Sequence, residues 1–243
     1  MIWIKATVEF QRVFLIVRFY GSVTHLFAPA PPRLTIQPPM LEAAQLECAR
    51  GSRTLFSGLG FTLAPGGLLR VTGANGRGKT TLLRALCGLL VPAAGEVRWK
   101  GEPIRTLREE YWSDLLYIGH ANALKDDLTA EENLAFACGI AGRAVPRPAI
   151  QTALARFGLA GREGLPVRAL SQGQRRRAAL ARLAVGAAQP LWILDEPFAA
   201  LDSAGTQLVL SLAGEHLARG GMVVLTTHQD ARVAAPSVTD INL

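Results

Sequence analysis

Hydrophobic and polar positions from Leu41 onward fall into two textures. Four short apolar runs stand out: Leu68-Leu69-Arg70-Val71-Thr72, Leu115–Ile118, Leu191–Leu194 and Met222–Thr227. They do not alternate with polar residues, as expected of strands covered on both faces in a parallel sheet. Upstream, residues 41–48 and 54–63 read as two strands joined by the turn Arg50-Gly51-Ser52, and Pro65-Gly66-Gly67 makes a second turn. Thr80 to Leu90 reads as a helix with leucines on one side. Residues 125–185 carry no strand signal and are rich in alanine, leucine and arginine, so a helical subdomain inserted into an α/β core is expected there. There is no internal repeat and no coiled-coil heptad.

The first 39 residues differ. Their apolar stretch Val13–Val17 is bracketed by Arg12 and Arg18, too short for a bilayer span. Ala28-Pro29-Ala30-Pro31-Pro32 and Gln37-Pro38-Pro39 then exclude a helix or a ladder-paired strand. Residues 1–39 are read as a poorly ordered extension, with Met40 a candidate true start and residues 40–243 a single domain.

Charge changes this picture little. The 243 residues carry a formal net charge of +7. Lys5, Arg12, Arg18 and Arg33 against Glu9 place much of it in the extension, so a nucleic-acid partner is not expected. Cys48, Cys87 and Cys138 are scattered without a CxxC pair, and read as reduced core residues.

Three motifs carry chemistry. Gly73-Ala74-Asn75-Gly76-Arg77-Gly78-Lys79-Thr80 fits G-x-x-x-x-G-K-[ST], placed after a strand and before a helix. Such a loop turns successive N–H groups inward as an anion cradle, and the helix N-terminus adds its partial positive charge. Lys79 is expected on the β- and γ-phosphates of ATP, the Thr80 hydroxyl on Mg²⁺, and Thr81 among the nucleotide contacts. Next, the strand ending Leu194-Asp195-Glu196-Pro197 puts two carboxylates where parallel-sheet ligands bind. Asp195 is expected to hold Mg²⁺ and Glu196 to polarise the attacking water. Last, Leu170-Ser171-Gln172-Gly173-Gln174 contains a capping box, with Ser171 opening a helix and Gln174 three residues on. Ser171 and the Gly173 N–H can thereby face an anion.

That third segment resembles the LSGGQ signature of ABC ATPases, with Gln172 at the first glycine. Ala199-Ala200-Leu201-Asp202 resembles the family's D-loop, His228 its switch histidine, and Asn133-Leu134 the segment after its Q-loop. Together these cover residues 41–230. The resemblance implies a P-loop NTPase fold with an ABC-type core, an inserted helical subdomain and an antiparallel β subdomain. It also implies a head-to-tail homodimer in which Ser171, Gly173 and Gln174 of one subunit close on ATP held by the other, with His228 touching the γ-phosphate. The run Arg175-Arg176-Arg177 is read as a solvated face with a dimer or phosphate role.

Two positions depart from the family pattern. His120 occupies the Q-loop glutamine position, where a histidine can hydrogen-bond water or a partner loop. Arg50 stands where many members stack an aromatic ring on adenine; a guanidinium can also stack on a base.

The departures narrow the family. Leu115-Leu116-Tyr117-Ile118-Gly119-His120 with Lys125, Arg53–Leu59, Leu191–Phe198 and Gly221–Gln229 are similar to segments of the cytochrome c maturation ATP-binding subunit, the haem-exporter type called CcmA. The resemblance implies a peripheral ATPase on the cytoplasmic face of the inner membrane. Its partners would be membrane subunits of CcmB and CcmC type, in haem export or release of a haem-loaded chaperone. An ABC transporter ATPase for another cargo, and a non-transport ABC ATPase, are the alternatives.

Overall fold

The computed structural model describes residues 40–186, 188–228 and 232–243. The expectations for residues 1–39 therefore lie outside the described residues.

Two sheets organise the described residues. The first is antiparallel, with β1 (Leu41–Arg50) between β2 (Arg53–Leu63) and β4 (Ala94–Trp99), and β5 (Glu102–Pro103) outside β4. In β1 the inside–outside alternation breaks at Ala44-Gln45, where the register shifts against both neighbours and Gln45 takes φ 50°. This bulge re-aims the strand. Gly95 lies against it, where any Cβ would collide with the Ala44 and Gln45 carbonyls.

The second sheet is parallel, in the order β6 (Leu115–Ile118), β7 (Leu191–Leu194), β8 (Met222–Thr226), β3 (Gly67–Thr72) and β9 (Ser237–Asn242). Strands β7 and β8 are buried throughout, and their successive side chains feed two different cores. Trp192, Leu194, Val223 and Leu225 pack with the helical subdomain and α7 (Ser203–Ala218). Leu191, Ile193, Met222 and Val224 pack with α1 (Lys79–Leu86) and the antiparallel sheet. An all-apolar strand is thus the sequence of a sheet covered on both faces. The runs at 115–118 and 191–194 match β6 and β7 residue for residue.

Between β6 and β7 the chain inserts α3 (Ala130–Ile140), α4 (Arg147–Arg156), α5 (Gln172–Leu180) and α6 (Arg182–Val185), the helical subdomain expected from composition. Both α3 and α5 open with capping boxes, Thr129 with Glu132 and Ser171 with Gln174. The expected helix 80–90 is shorter than its leucines suggest. Gly88 at φ 71° follows Cys87, its N–H bonds Ala85 O at 3.0 Å, and Leu89 N–H bonds Arg84 O at 2.9 Å. This C-terminal motif stops α1 at Leu86. Strands β4, β5 and β9 and helices α2 (Arg108–Asp114) and α7 carry no expectation from the sequence pattern.

Candidate functional site at the end of the parallel sheet

The phosphate loop joins β3 to α1. Gly78 caps α1 at φ 107°, and a Cβ there would sit 3.2 Å from Leu55 Cβ and 3.3 Å from the Phe56 ring. Gly73 is held at φ 135° against the backbone of Leu243, whose N–H bonds Thr72 O at 3.1 Å. The N–H groups of Lys79, Thr80 and Thr81 open the helix, where no intrahelical partner can reach them. Lys79 is buried, and its Nζ donates to Gly73 O at 2.8 Å and Ala74 O at 3.2 Å. A full positive charge therefore lies inside the curl of the loop.

The acidic strand end lies across from it. Asp195 is 1% exposed; its Oδ1 accepts from the Thr226 hydroxyl at 2.9 Å, while its Oδ2 is buried with no hydrogen-bond partner among the described residues. A buried carboxylate oxygen left bare is costly unless something cationic or hydrogen-bonding meets it. Asp195 and Thr80 line the same groove, so a carboxylate and a hydroxyl face one space. These are the hard oxygen donors that Mg²⁺ takes when substrate phosphates supply further ligands. The residues fit that ion.

Glu196 follows at φ 49°, left-handed for a residue with a Cβ. Its N–H donates to Thr226 Oγ1 at 2.8 Å, and its Oε1 lies 3.0 Å from His228 Nε2. The structure thus brings together Glu196 and His228, which the sequence separates by thirty-two positions. Thr226 was missed as a site residue. Leu194 pairs with Leu225 across β7 and β8, so the next residues of the two strands meet, and the Thr226 hydroxyl bridges the Asp195 carboxylate and the Glu196 amide. A polar residue closing an otherwise apolar strand was the available signal.

The signature opens α5 as anticipated. Ser171 Oγ accepts from Gln174 N–H at 3.3 Å, and Gln174 Oε1 accepts from Ser171 N–H at 2.9 Å. The Gln174 side-chain oxygen is therefore engaged within its own turn. Gly173 lies close to the D-loop, where a Cβ would be 3.2 Å from Ala200 O. Asp202 caps α7 through Gly205 N–H and pairs with Arg177 at 2.6 Å, and these contacts hold its carboxyl below the usual range.

The arginine run is not the solvated face expected. Arg175 reaches the Leu170 and Arg168 carbonyls and Asp126, and Arg177 pairs with Asp202. Arg176 is 3% exposed and directed inward. Three consecutive helical residues point about 100° apart, so they cannot share one face.

His120 is exposed and lines the same groove as Thr80 and Asp195, a cleft of about 760 Å³ rimmed by Leu89, Trp112 and Ile140. Asn133 is buried; its amide donates to the carbonyls of Lys125, Leu128 and Thr129 and its Oδ1 accepts from Lys125 N–H, fixing the loop 125–129 that leads into α3. Arg50 stands exposed at the hairpin end opposite Arg53.

The family model described as ABC transporter matches residues 56–199. A solved ATP-binding subunit of an ABC transporter superposes with a TM-score of 0.71 at 26% identity, covering 78% of this chain and 79% of that one. A dimeric bacterial ABC transporter cassette shares the fold at 21% identity and a TM-score of 0.72, over 83% of this chain and 94% of that one. Fold and site together define an ABC-type ATPase. Curated relatives are closer in sequence. The cytochrome c biogenesis ATP-binding export protein CcmA of Aromatoleum aromaticum is 55% identical over 84% of this chain and 96% of its own length. Its counterpart in Dechloromonas aromatica is 52% identical over 84% of this chain and its whole length. The chain belongs to the CcmA family.

Proposed function

We propose that this chain is the ATP-hydrolysing, energy-coupling subunit of an ABC export complex for cytochrome c biogenesis. It works in haem export or in release of a haem-loaded chaperone, at the cytoplasmic face of the membrane. The observation that carries the reading is the meeting of the Lys79 loop, the bare Asp195 oxygen and the Glu196–His228 pair at one end of the parallel sheet.

Residues 73–81 bind the triphosphate of ATP through backbone amides and Lys79. Thr80 and Asp195 would hold Mg²⁺, which would supply neutralisation of phosphate charge. Glu196 orients and polarises the attacking water, and His228, 3.0 Å from its carboxylate, positions that carboxylate and reaches toward the γ-phosphate. Catalysis is positioning and fixed charge, the usual economy of phosphoryl transfer. Two copies pair head to tail, so that Ser171 and Gly173 of each close on the ATP of the other with the positive end of α5. Among the described residues no helix is long and apolar enough to cross a membrane. Membrane subunits of CcmB and CcmC type supply that part, docking in the groove beside His120, where Leu89, Trp112 and Ile140 are exposed.

ATP turnover and binding of a fluorescent ATP analogue test the reading. Glu196→Gln is expected to lower turnover by about 10²–10⁴-fold while ATP still binds. Lys79→Ala is expected to lose both. Near-normal turnover in Glu196→Gln would remove that residue from its role, and undiminished binding in Lys79→Ala would remove the loop.

A further inference from the structure

Glu196 holds an unfavourable backbone conformation at the point where chemistry is assigned. A left-handed residue with a Cβ costs about 1–2 kcal/mol, and such strain persists only where surroundings over-determine it. Two side chains from distant elements do so. Thr226 accepts its N–H from β8. On the other side of the residue, the Arg176 guanidinium donates to the Glu196 carbonyl at 2.7 Å and to the Asp195 carbonyl at 3.1 Å, both through Nη2.

The other arm of that guanidinium points elsewhere. Nη1 donates to Gly119 O at 3.1 Å and to Asn122 Oδ1 at 3.2 Å. Gly119 and Asn122 flank His120 and line the groove assigned above to the membrane partner. One buried planar fork, based on the signature helix α5, therefore ties the groove segment to the backbone of the catalytic carboxylate. Burial disfavours its charge, and the neighbouring Asp195 and Glu196 carboxylates offset this. A buried cation is an expensive way to fill space, since an apolar side chain of similar volume commonly stabilises at least as well. Its use here has to be sought in the acceptors it holds.

We propose that Arg176 is a positioning residue for ATP hydrolysis: it fixes the Glu196 backbone and links it to the segment Gly119–Asn122, so that displacement of the groove segment displaces Glu196. The inference rests on the reading of Glu196 as the water-polarising residue and adds a residue that does not touch the nucleotide. Lysine cannot replace it, because a single ammonium lacks the fork needed to reach both pairs of acceptors.

The test uses the full chain with Mg-ATP. Arg176→Lys, Arg176→Ala and Asn122→Ala are compared with Glu196→Gln in kcat, KM and thermal midpoint. A misplacement of about 1 Å costs about 10²-fold, so Arg176→Lys and Arg176→Ala should lose roughly ten- to a hundredfold in kcat, with KM for ATP nearly unchanged. Millimolar guanidinium ion should restore part of kcat to Arg176→Ala and none to Glu196→Gln. Asn122→Ala, altered at a half-buried position, should lower kcat by about threefold, and its effect should vanish in the Arg176→Lys background. Normal kcat with only a lowered melting temperature in the Arg176 variants would make Arg176 structural and overturn the inference. Additive effects of Asn122→Ala and Arg176→Lys would overturn the link to the groove. An inactive Glu196→Gln beside a fully active Arg176→Lys would sink this inference alone, whereas an active Glu196→Gln would sink the reading beneath it as well.

Discussion

The phosphate loop and the acidic strand end face one another and are built by opposite means. The loop is one contiguous segment whose shape is set by backbone. Gly73 at φ 135° and Gly78 at φ 107° bend it, and its lysine bonds the loop's own carbonyls. The strand end is assembled from three separate segments and held by side chains. Thr226 bridges Asp195 and Glu196, His228 meets Glu196, and Arg176 arrives from the inserted helices. Backbone construction suits gripping a ligand, which needs many amides in fixed directions. Side-chain construction suits chemistry, which needs one carboxylate aimed well. Damage to the loop should therefore appear in binding, and damage to the strand end in turnover.

Thr226→Val is the sharpest way to break that division. It removes one hydroxyl and leaves a buried carboxylate oxygen and a buried N–H unpaired, each costing about 1–3 kcal/mol. Turnover is expected to drop by roughly ten- to a hundredfold with KM for ATP little changed; a raised KM with normal kcat would refute the division. Gly78→Ala is the converse. The left-handed conformation costs about 1–2 kcal/mol once a Cβ is present, and that Cβ would press on Leu55 and Phe56. Weakening of ATP binding by roughly tenfold, measured by titration of a fluorescent analogue, should accompany nearly normal turnover at saturation. A loss of kcat at full occupancy would blur the two regions into one.

The third expectation concerns neither region and sets a control for both. His216 lies beneath the sheet, stacked on Trp192 with ring centroids 4.0 Å apart, and burial lowers its pKa to about 4 from 6.5. Between those values the unfolded chain binds a proton that the folded chain refuses. Stability is thus fully present above about pH 6.5 and declines as pH falls toward 4, by up to about 3 kcal/mol. Urea midpoints at pH 7.5 and pH 5 should differ, and His216→Phe should reduce the difference. An unchanged pH dependence in that variant would assign the slope to other groups.

Contiguous chemistry was legible in the sequence, and chemistry assembled by packing was not. The phosphate loop, the Ser171–Gln174 capping box and the strands at 115–118 and 191–194 each depend on neighbours along the chain, and each lies where pattern put it. Arg176 was misread because a run of three arginines looks like solvent. Helical spacing carried the correction, since Ala179 and Leu180 follow at three and four residues and are buried, which places Arg176 on the packed face. The end of α1 was hidden by leucines that continue past Gly88. Strand β9 is mostly exposed and short of apolar residues, so only its pairing with β3 defines it.

That pairing bears on how the molecule is made. Strand β3, which launches the phosphate loop, lies between β8 and β9, joining Leu68 to Val223 and to Val238. Both flanking strands are translated more than a hundred and fifty residues later. Contacts so distant in sequence form slowly, because the intervening chain must first be closed. A nascent polypeptide therefore carries the complete loop motif through the synthesis of all the intervening residues without the scaffold that shapes it. Competence to hold nucleotide should arrive abruptly, once β8 and β9 have left the ribosome.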